Sequence, residues 1–215
     1  MSARANILAR IRTRQGKAVT ARAAERDTVA QHIAAHPQSP RPQVAADVVA
    51  RFCDRALSLA TTLDEVAAVA DIPAAVARYL RDQGLAPAAV CWPEFADLDW
   101  RAQGLQVAAH PARSDDLVGI TGAFCAIAET GTLMMLSGPQ TPPATSLLPE
   151  THIAVLSRRR IVAGMEDGWG LLRAEHGALP RSVYFISGPS RTADIEQTVT
   201  LGAHGPYRVH LLLLP

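Results

Sequence analysis

Cysteine, aromatic residues and charge are all in short supply in this chain, and each shortage removes a class of function. The three cysteines, Cys53, Cys91 and Cys125, are odd in number, far apart and without a CxxC pair. Neither a local zinc or iron–sulfur site nor a disulfide framework is therefore expected, and all three read as small buried hydrophobes. No run of 18 or more apolar residues occurs, so no transmembrane helix is expected. The opening MSARANILARIRTRQG is basic but lacks the apolar stretch and cleavage site of a secretory signal, which makes the cytoplasm the expected compartment. Aromatics are only 5% of the chain, and Trp92, Trp100 and Trp169 are too scattered to form a base-stacking face; they read as packing residues. The sequence also has no GxxxxGK[ST], no HExxH, no GxSxG and no Ser-His-Asp order, which argues against phosphate-loop, zinc-protease and serine-hydrolase chemistry. His32 and His36 stand four apart, but Pro37 ends that element at once, so no metal is expected there.

What remains is the composition of a folded protein, 48% hydrophobic and 19% charged over 215 residues. The net charge of +1 hides an asymmetry. Residues 1–26 carry Arg4, Arg10, Arg12, Arg14, Lys17, Arg22 and Arg26 against Glu25, a balance of +6, which leaves −5 for the rest. A basic arm can track phosphates or dock on an acidic surface. Without interleaved aromatics it offers no stacking platform, and nucleic-acid binding is not expected.

Spacing of apolar residues predicts helices over 3–14 and 20–35, followed by a proline-rich linker, His36 to Pro42. A basic arm and linker over 1–43 and an α/β domain over 44–215 are thus expected. Val44, Val48, Val49, Phe52, Ala56 and Leu59 form a helical face, and Pro73 opens a helix that runs to about Gln83. Short apolar runs then read as strands: Ala88–Trp92, Gln106–Ala109, Val118–Ala128, Thr132–Leu136, Ile153–Leu156, Ile161–Val162, Ser182–Ile186 and Val209–Leu214. Helices are predicted over Glu166–His176 and Thr192–Thr200. Strands alternating with helices indicate an α/β sheet with helices on both faces, plus the N-terminal helical arm.

Three segments set glycine among polar groups beside apolar strands. In Ala128-Glu129-Thr130-Gly131-Thr132, Glu129 is a candidate general base or nucleophile; the competing reading is a strand–turn–strand connection with Gly131 at positive φ. In Ser187-Gly188-Pro189-Ser190-Arg191-Thr192-Ala193-Asp194, a strand is expected to lead into a helix, where α/β sheets bind ligands. Ser187, Ser190 and Thr192 can cap that helix or meet an anion, and Arg191 can pair with a carboxylate or phosphate. Asp194 and Glu196 would complement the helix dipole in its first turn. In Leu201-Gly202-Ala203-His204-Gly205-Pro206, His204 either titrates against a substrate or bonds a turn. His152 reads as a structural donor at the start of a strand.

Taken in order, GITGAFCAIAETGTLMML (119–136), SLLPETHIAVL (146–156) and ISGPSRTADIEQTVTLGAHGP (186–206) resemble the lactate-utilization (LUD) family, and ILARIR (7–12) is similar to the N-terminal helix of its protein C branch. The resemblance implies the fold shared by sugar-phosphate isomerases and CoA transferases. It also implies a place in bacterial L-lactate oxidation to pyruvate, beside an iron–sulfur protein and a second cysteine-rich partner that hold the clusters, with no cofactor on this chain. Many relatives carry an arginine shortly before SLLP, where this chain reads Gly138-Pro139-Gln140-Thr141-Pro142-Pro143-Ala144-Thr145; Arg191 is the candidate substitute.

These readings give an expected accessory subunit of a lactate-oxidising system, with a small carboxylate or phosphate as ligand. The alternatives are an isomerase- or CoA-transferase-like enzyme using Glu129 with His204, and a non-catalytic ligand-binding regulator. The candidate site comprises Glu129, Thr130, Gly131, Ser187, Gly188, Ser190, Arg191, Thr192, Asp194, His204 and Gly205, with no metal.

Overall fold

The computed structural model describes residues 2–18, 22–43, 46–193 and 199–215. Two compact units divide the chain, Met1–Arg41 and Pro42–Pro215. In the first, α1 (Ala3–Arg14) and α2 (Ala23–Ala35) bury no residue of their own. Ser2 caps α1 by accepting from the Ala5 N–H, and Arg12 pairs with Glu25 at 2.6 Å. Residues 36–43, with their prolines, form neither helix nor strand.

The second unit is built on a six-stranded, wholly parallel sheet. Its elements, in chain order, are α3 (Val48–Ser58), β1 (Thr62–Glu65), α4 (Ile72–Asp82), β2 (Ala88–Cys91), β3 (Gln106–Ala109) and β4 (Val118–Gly122). Then come β5 (Cys125–Ile127), β6 (Thr132–Leu136), the short α5 (Ala144–Leu147), β7 (Thr151–Ser157), β8 (Ile161–Val162), α6 (Met165–Glu175), β9 (Val183–Ile186), β10 (Arg191–Thr192), β11 (Thr200–Leu201) and β12 (Arg208–Leu214). The large sheet runs β1-β12-β7-β4-β2-β3, with every neighbouring pair parallel. Burial on both faces explains why β7 and β12 read as continuous apolar runs instead of alternating ones.

Helices cover both faces of that sheet. On one, Tyr79 of α4 stacks on His210 with ring centroids 4.0 Å apart, and Arg78 pairs with Asp64 at 2.6 Å. On the other, α5 lies so close to β4 that a Cβ at Gly119 would stand 1.9 Å from the Thr145 carbonyl oxygen.

A second sheet, β8-β5-β6-β9, is mixed, and the period-two alternation of its sequence assigns its faces. Ala126, Ala128, Leu133 and Met135 join the main core. Cys125, Ile127, Met134 and Leu136 face the other way and pack with Leu172, Met165 and Trp169 of α6. Fully buried Leu172 is the centre of this smaller cluster; truncating it to Ala would cost about 2–5 kcal/mol. α3 packs on both β1 and β8 and so ties the two sheets together.

Several expectations need correction. Val118–Ala128 is two strands in different sheets, because Ala123 and Phe124 turn the chain from β4 into β5. The connection expected at Asp64–Ala70 begins as β1, held by β12. No helix opens at Thr192: Arg191 pairs with Leu201 and Thr192 with Thr200 in an antiparallel ladder, β10 with β11. Threonine and valine around this ladder favour extended backbone over helix. Cys53 is only half-buried, although it packs against the core as Cys91 and Cys125 do.

Candidate functional site

The turn between β5 and β6 is fixed by its backbone. Ala128 N–H donates to Val162 O (2.8 Å), Glu129 N–H to Ala163 O (3.0 Å) and Gly131 N–H to Ile127 O (2.9 Å). Gly131 sits at φ +70°, and a Cβ there would lie 2.7 Å from Ala56 N and 2.8 Å from the Arg55 carbonyl carbon. The turn is thus pressed onto the last turn of α3, a close approach that glycine alone permits.

From this turn a line of hydroxyls runs to the second segment. Thr130 Oγ1 donates to Thr132 Oγ1 at 2.7 Å, and Thr132 Oγ1 shares a 2.7 Å hydrogen bond with Ser187 Oγ. Gly188, at φ +75°, repeats the device of Gly131: its Cβ would stand 2.5 Å from Leu59 O, just past the end of α3. Arg191 Nη2 donates to that same carbonyl at 3.2 Å.

The third segment joins through Ser190, whose N–H donates to Pro206 O (2.9 Å) and whose carbonyl accepts from Gly202 N–H (3.0 Å). A Cβ on Gly205 would touch the Ser190 side chain at 3.3 Å. Thr130, Gly131, Ser187, Gly188, Ser190, Arg191 and Gly205 are therefore joined in one continuous seam beside the end of α3. Glu129 is half-buried at the turn, while His204 lies on the exposed stretch between β11 and β12. Thr192 belongs to β10, so it caps no helix, and Asp194 and Glu196 lie outside the described residues.

Other polar groups were not singled out by sequence reasoning. Thr132 sits at the centre of the hydroxyl line, and Arg55 lies against the Gly131 turn. A carboxylate, Glu94, follows β2. The chain leaves β2 for β3 on one side and later leaves β4 for β7 on the other. In open α/β sheets such a reversal of strand order is where ligands bind, beyond the carboxyl ends of the strands. Glu94 packs against Gly122 at the end of β4, where a Cβ would stand 2.5 Å from Glu94 Oε1. Partial desolvation raises the Glu94 carboxyl above its ordinary pKa, against the lowering by a hydrogen bond from the Gly122 backbone. A carboxylate directly after the apolar run Ala88–Cys91 was the available sequence signal.

Histidines inside the large sheet behave differently. His152 is completely buried, with Nε2 2.8 Å from Thr121 Oγ1 and with no partner for Nδ1 among the described residues. Burial alone pulls its pKa down to about 3, so it stays neutral. His210, with Nδ1 2.8 Å from Thr62 Oγ1, is lowered to about 4, chiefly by burial.

The thiol donors are equally withdrawn. Burial pushes Cys91 and Cys125 up to about 11 and raises Cys53 as well, which makes them poor thiolate ligands at neutral pH. Among the described residues no group of three His, Cys, Asp or Glu side chains is placed to hold a metal ion, and no helix is long and apolar enough to cross a membrane.

Known proteins share this architecture and these segments. A crystal structure of a DUF162 family protein from Deinococcus radiodurans superposes with a TM-score of 0.60 at 27% identity, covering 81% of this chain and 100% of that one. Lactate utilization protein C of Bacillus subtilis is 35% identical over 100 residues, 45% of this chain and 42% of the relative. Lactate utilization protein C of Halalkalibacterium halodurans is 40% identical over 94 residues, 42% of this chain and 41% of the relative. An uncharacterized protein of Neisseria meningitidis serogroup B is 38% identical over 96 residues, 45% of this chain and 41% of the relative. These alignments span less than half the length of the curated relatives. The profile of the LUD domain, by contrast, matches residues 55–214, from the end of α3 through β12. Seam, sheets and α4–α6 all fall within that match, and the chain belongs to the LUD domain family.

Proposed function

We propose that this chain works in lactate utilization as an accessory subunit that binds a small carboxylate or other anion at the seam. The role in lactate utilization is supported by its similarity to proteins named lactate utilization protein C. The observation that carries the binding role is the hydroxyl line Thr130–Thr132–Ser187, bounded by Arg191 and pinned to α3 by two glycines. Hydroxyls and a guanidinium at a close backbone approach are what orients a planar anion. The electron-transfer clusters then belong to an iron–sulfur protein and a cysteine-rich partner, since the thiols here are buried and hard to ionise. The assembly is assigned to the cytoplasm.

Removing the gene and growing the cells on L-lactate as sole carbon source tests this reading. Growth is expected to fail and to return with the wild-type chain; undiminished growth overturns the lactate role. Co-purification from the native cells with an iron–sulfur protein and a cysteine-rich protein tests the subunit assignment, and a chain that always elutes alone counts against it.

A further inference from the structure

We propose that Arg55 and Arg191 form a two-arginine clamp for a small oxyanion, with Arg55 as the group that sets affinity. This rests on the reading that the seam binds a ligand, and it names the residues and the charge that hold it.

Arg55 occupies the last turn of α3. Its Cβ lies against the Gly131 turn, its Nε is buried with no hydrogen-bond partner among the described residues, and its Nη1 lies 3.4 Å from Ser58 Oγ. Arg191 approaches the same helix end from the other loop and donates to Leu59 O at 3.2 Å. Leu59 N–H donates in turn to Arg55 O at 3.2 Å, so the anchoring points of the two side chains are one helical turn apart. Among the described residues neither guanidinium pairs with a carboxylate, in contrast to Arg12, Arg78, Arg158 and Arg160, which each do. A guanidinium held dry on one edge and given no counter-charge is a costly arrangement in isolation. Both side chains are anchored at one helix end, and an anion bound between them would supply the counter-charge that each lacks among the described residues.

Hydroxyls complete the clamp. Ser187 neighbours Gly188, which rests on Leu59, and Thr130 neighbours Gly131, which rests on Arg55 and Ala56. The line Thr130–Thr132–Ser187 therefore runs between the two arginine-bearing positions. Guanidinium forks with hydroxyl donors suit the planar carboxylate of a 2-hydroxy acid and also the oxygens of a phosphate.

The test is isothermal titration of the full chain with L-lactate and, separately, with inorganic phosphate; the arm that binds identifies the oxyanion. Wild type is expected to bind one of them, and Arg55→Gln to bind it about tenfold or more weakly. Arg55→Lys is expected to recover only part of the loss, because it keeps the charge but not the fork. Arg101→Gln, at an exposed position after β2 that none of the seam contacts includes, is expected to bind as wild type does. Equal affinity in wild type and Arg55→Gln overturns the clamp while leaving ligand binding intact. Binding of neither compound to wild type overturns both the clamp and the binding role. If Arg55→Gln fails to fold, Arg191→Gln, at an exposed position, is read by the same criteria.

Discussion

The interior of the large sheet and the seam at the end of α3 both collect hydroxyls, and they treat them in opposite ways. Inside the sheet, each histidine is matched to one threonine, Thr121 to His152 and Thr62 to His210, and the imidazoles are kept neutral by burial. At the seam the hydroxyls run in a line with Ser187 exposed at its end, and among the described residues Arg55 and Arg191 beside it pair with no carboxylate. Enclosed polar pairs hold the fold together, whereas a half-open line beside unsatisfied positive charge is arranged to meet something else. Stability measurements therefore separate the two regions.

The largest expected effect is on acidification. Both histidines have folded pKa values below the ordinary 6.5, about 3 and about 4, so the unfolded chain takes up protons first as pH falls. Their contribution is fully present above 6.5 and is lost progressively down to those lower values. Between about pH 7 and about pH 5 each costs about 2 kcal/mol, about 4 kcal/mol together. Urea unfolding at the two pH values measures this, and a flat profile would break the distinction between sheet and seam. Gly119→Ala comes next at about 3 kcal/mol, since the new Cβ meets the Thr145 carbonyl, which belongs to backbone and yields poorly.

Gly131→Ala should cost about 2–3 kcal/mol, from positive φ together with collision against α3. Gly84→Ala, at φ +65° with open space around it, is the control at about 1 kcal/mol. Thr121→Val keeps the shape but strands His152 Nε2, for about 2 kcal/mol in thermal or urea unfolding. Ser187→Ala is expected to cost less than about 1 kcal/mol because its group is exposed. A loss above about 2 kcal/mol there would make the seam a structural network like the sheet.

Much of the fold was legible because burial imprints a period. Leu133 and Met135 against Met134 and Leu136 alternate between two cores, and a strand is the only element that does this. Gly84 and Pro73 bracket α4 closely. Continuous burial erased the signal elsewhere: Val118–Ala128 has no period because both β4 and β5 are covered on both faces. The polar stretch Thr192–Thr200 resembled a capped helix, but pairing of Thr192 with Thr200 decided the geometry of its start, and pairing is a tertiary matter.

The seam was legible as three segments, since glycine at a turn and a serine-rich loop are local signals. Arg55 was not, because in the sequence it is one more charge on a helix. It reaches the seam only when Gly131 lets the β5–β6 turn touch the end of α3. Glu94 likewise acquires meaning only from the reversal of strand order beside it.

The large sheet ends on both sides in strands of four residues, β1 and β3. Any open sheet presents unpaired N–H and C=O groups at its margins, and long flat margins recruit foreign strands into aggregates. Here each margin offers a ladder only four residues long. On β1 it also carries Asp64 and Glu65, paired with Arg78 and Arg158. An incoming chain finds too short a template and must displace charge to use it. The apolar centre that fills β7 and β12 is thus kept out of reach of other chains, which guards the fold against edge-to-edge aggregation.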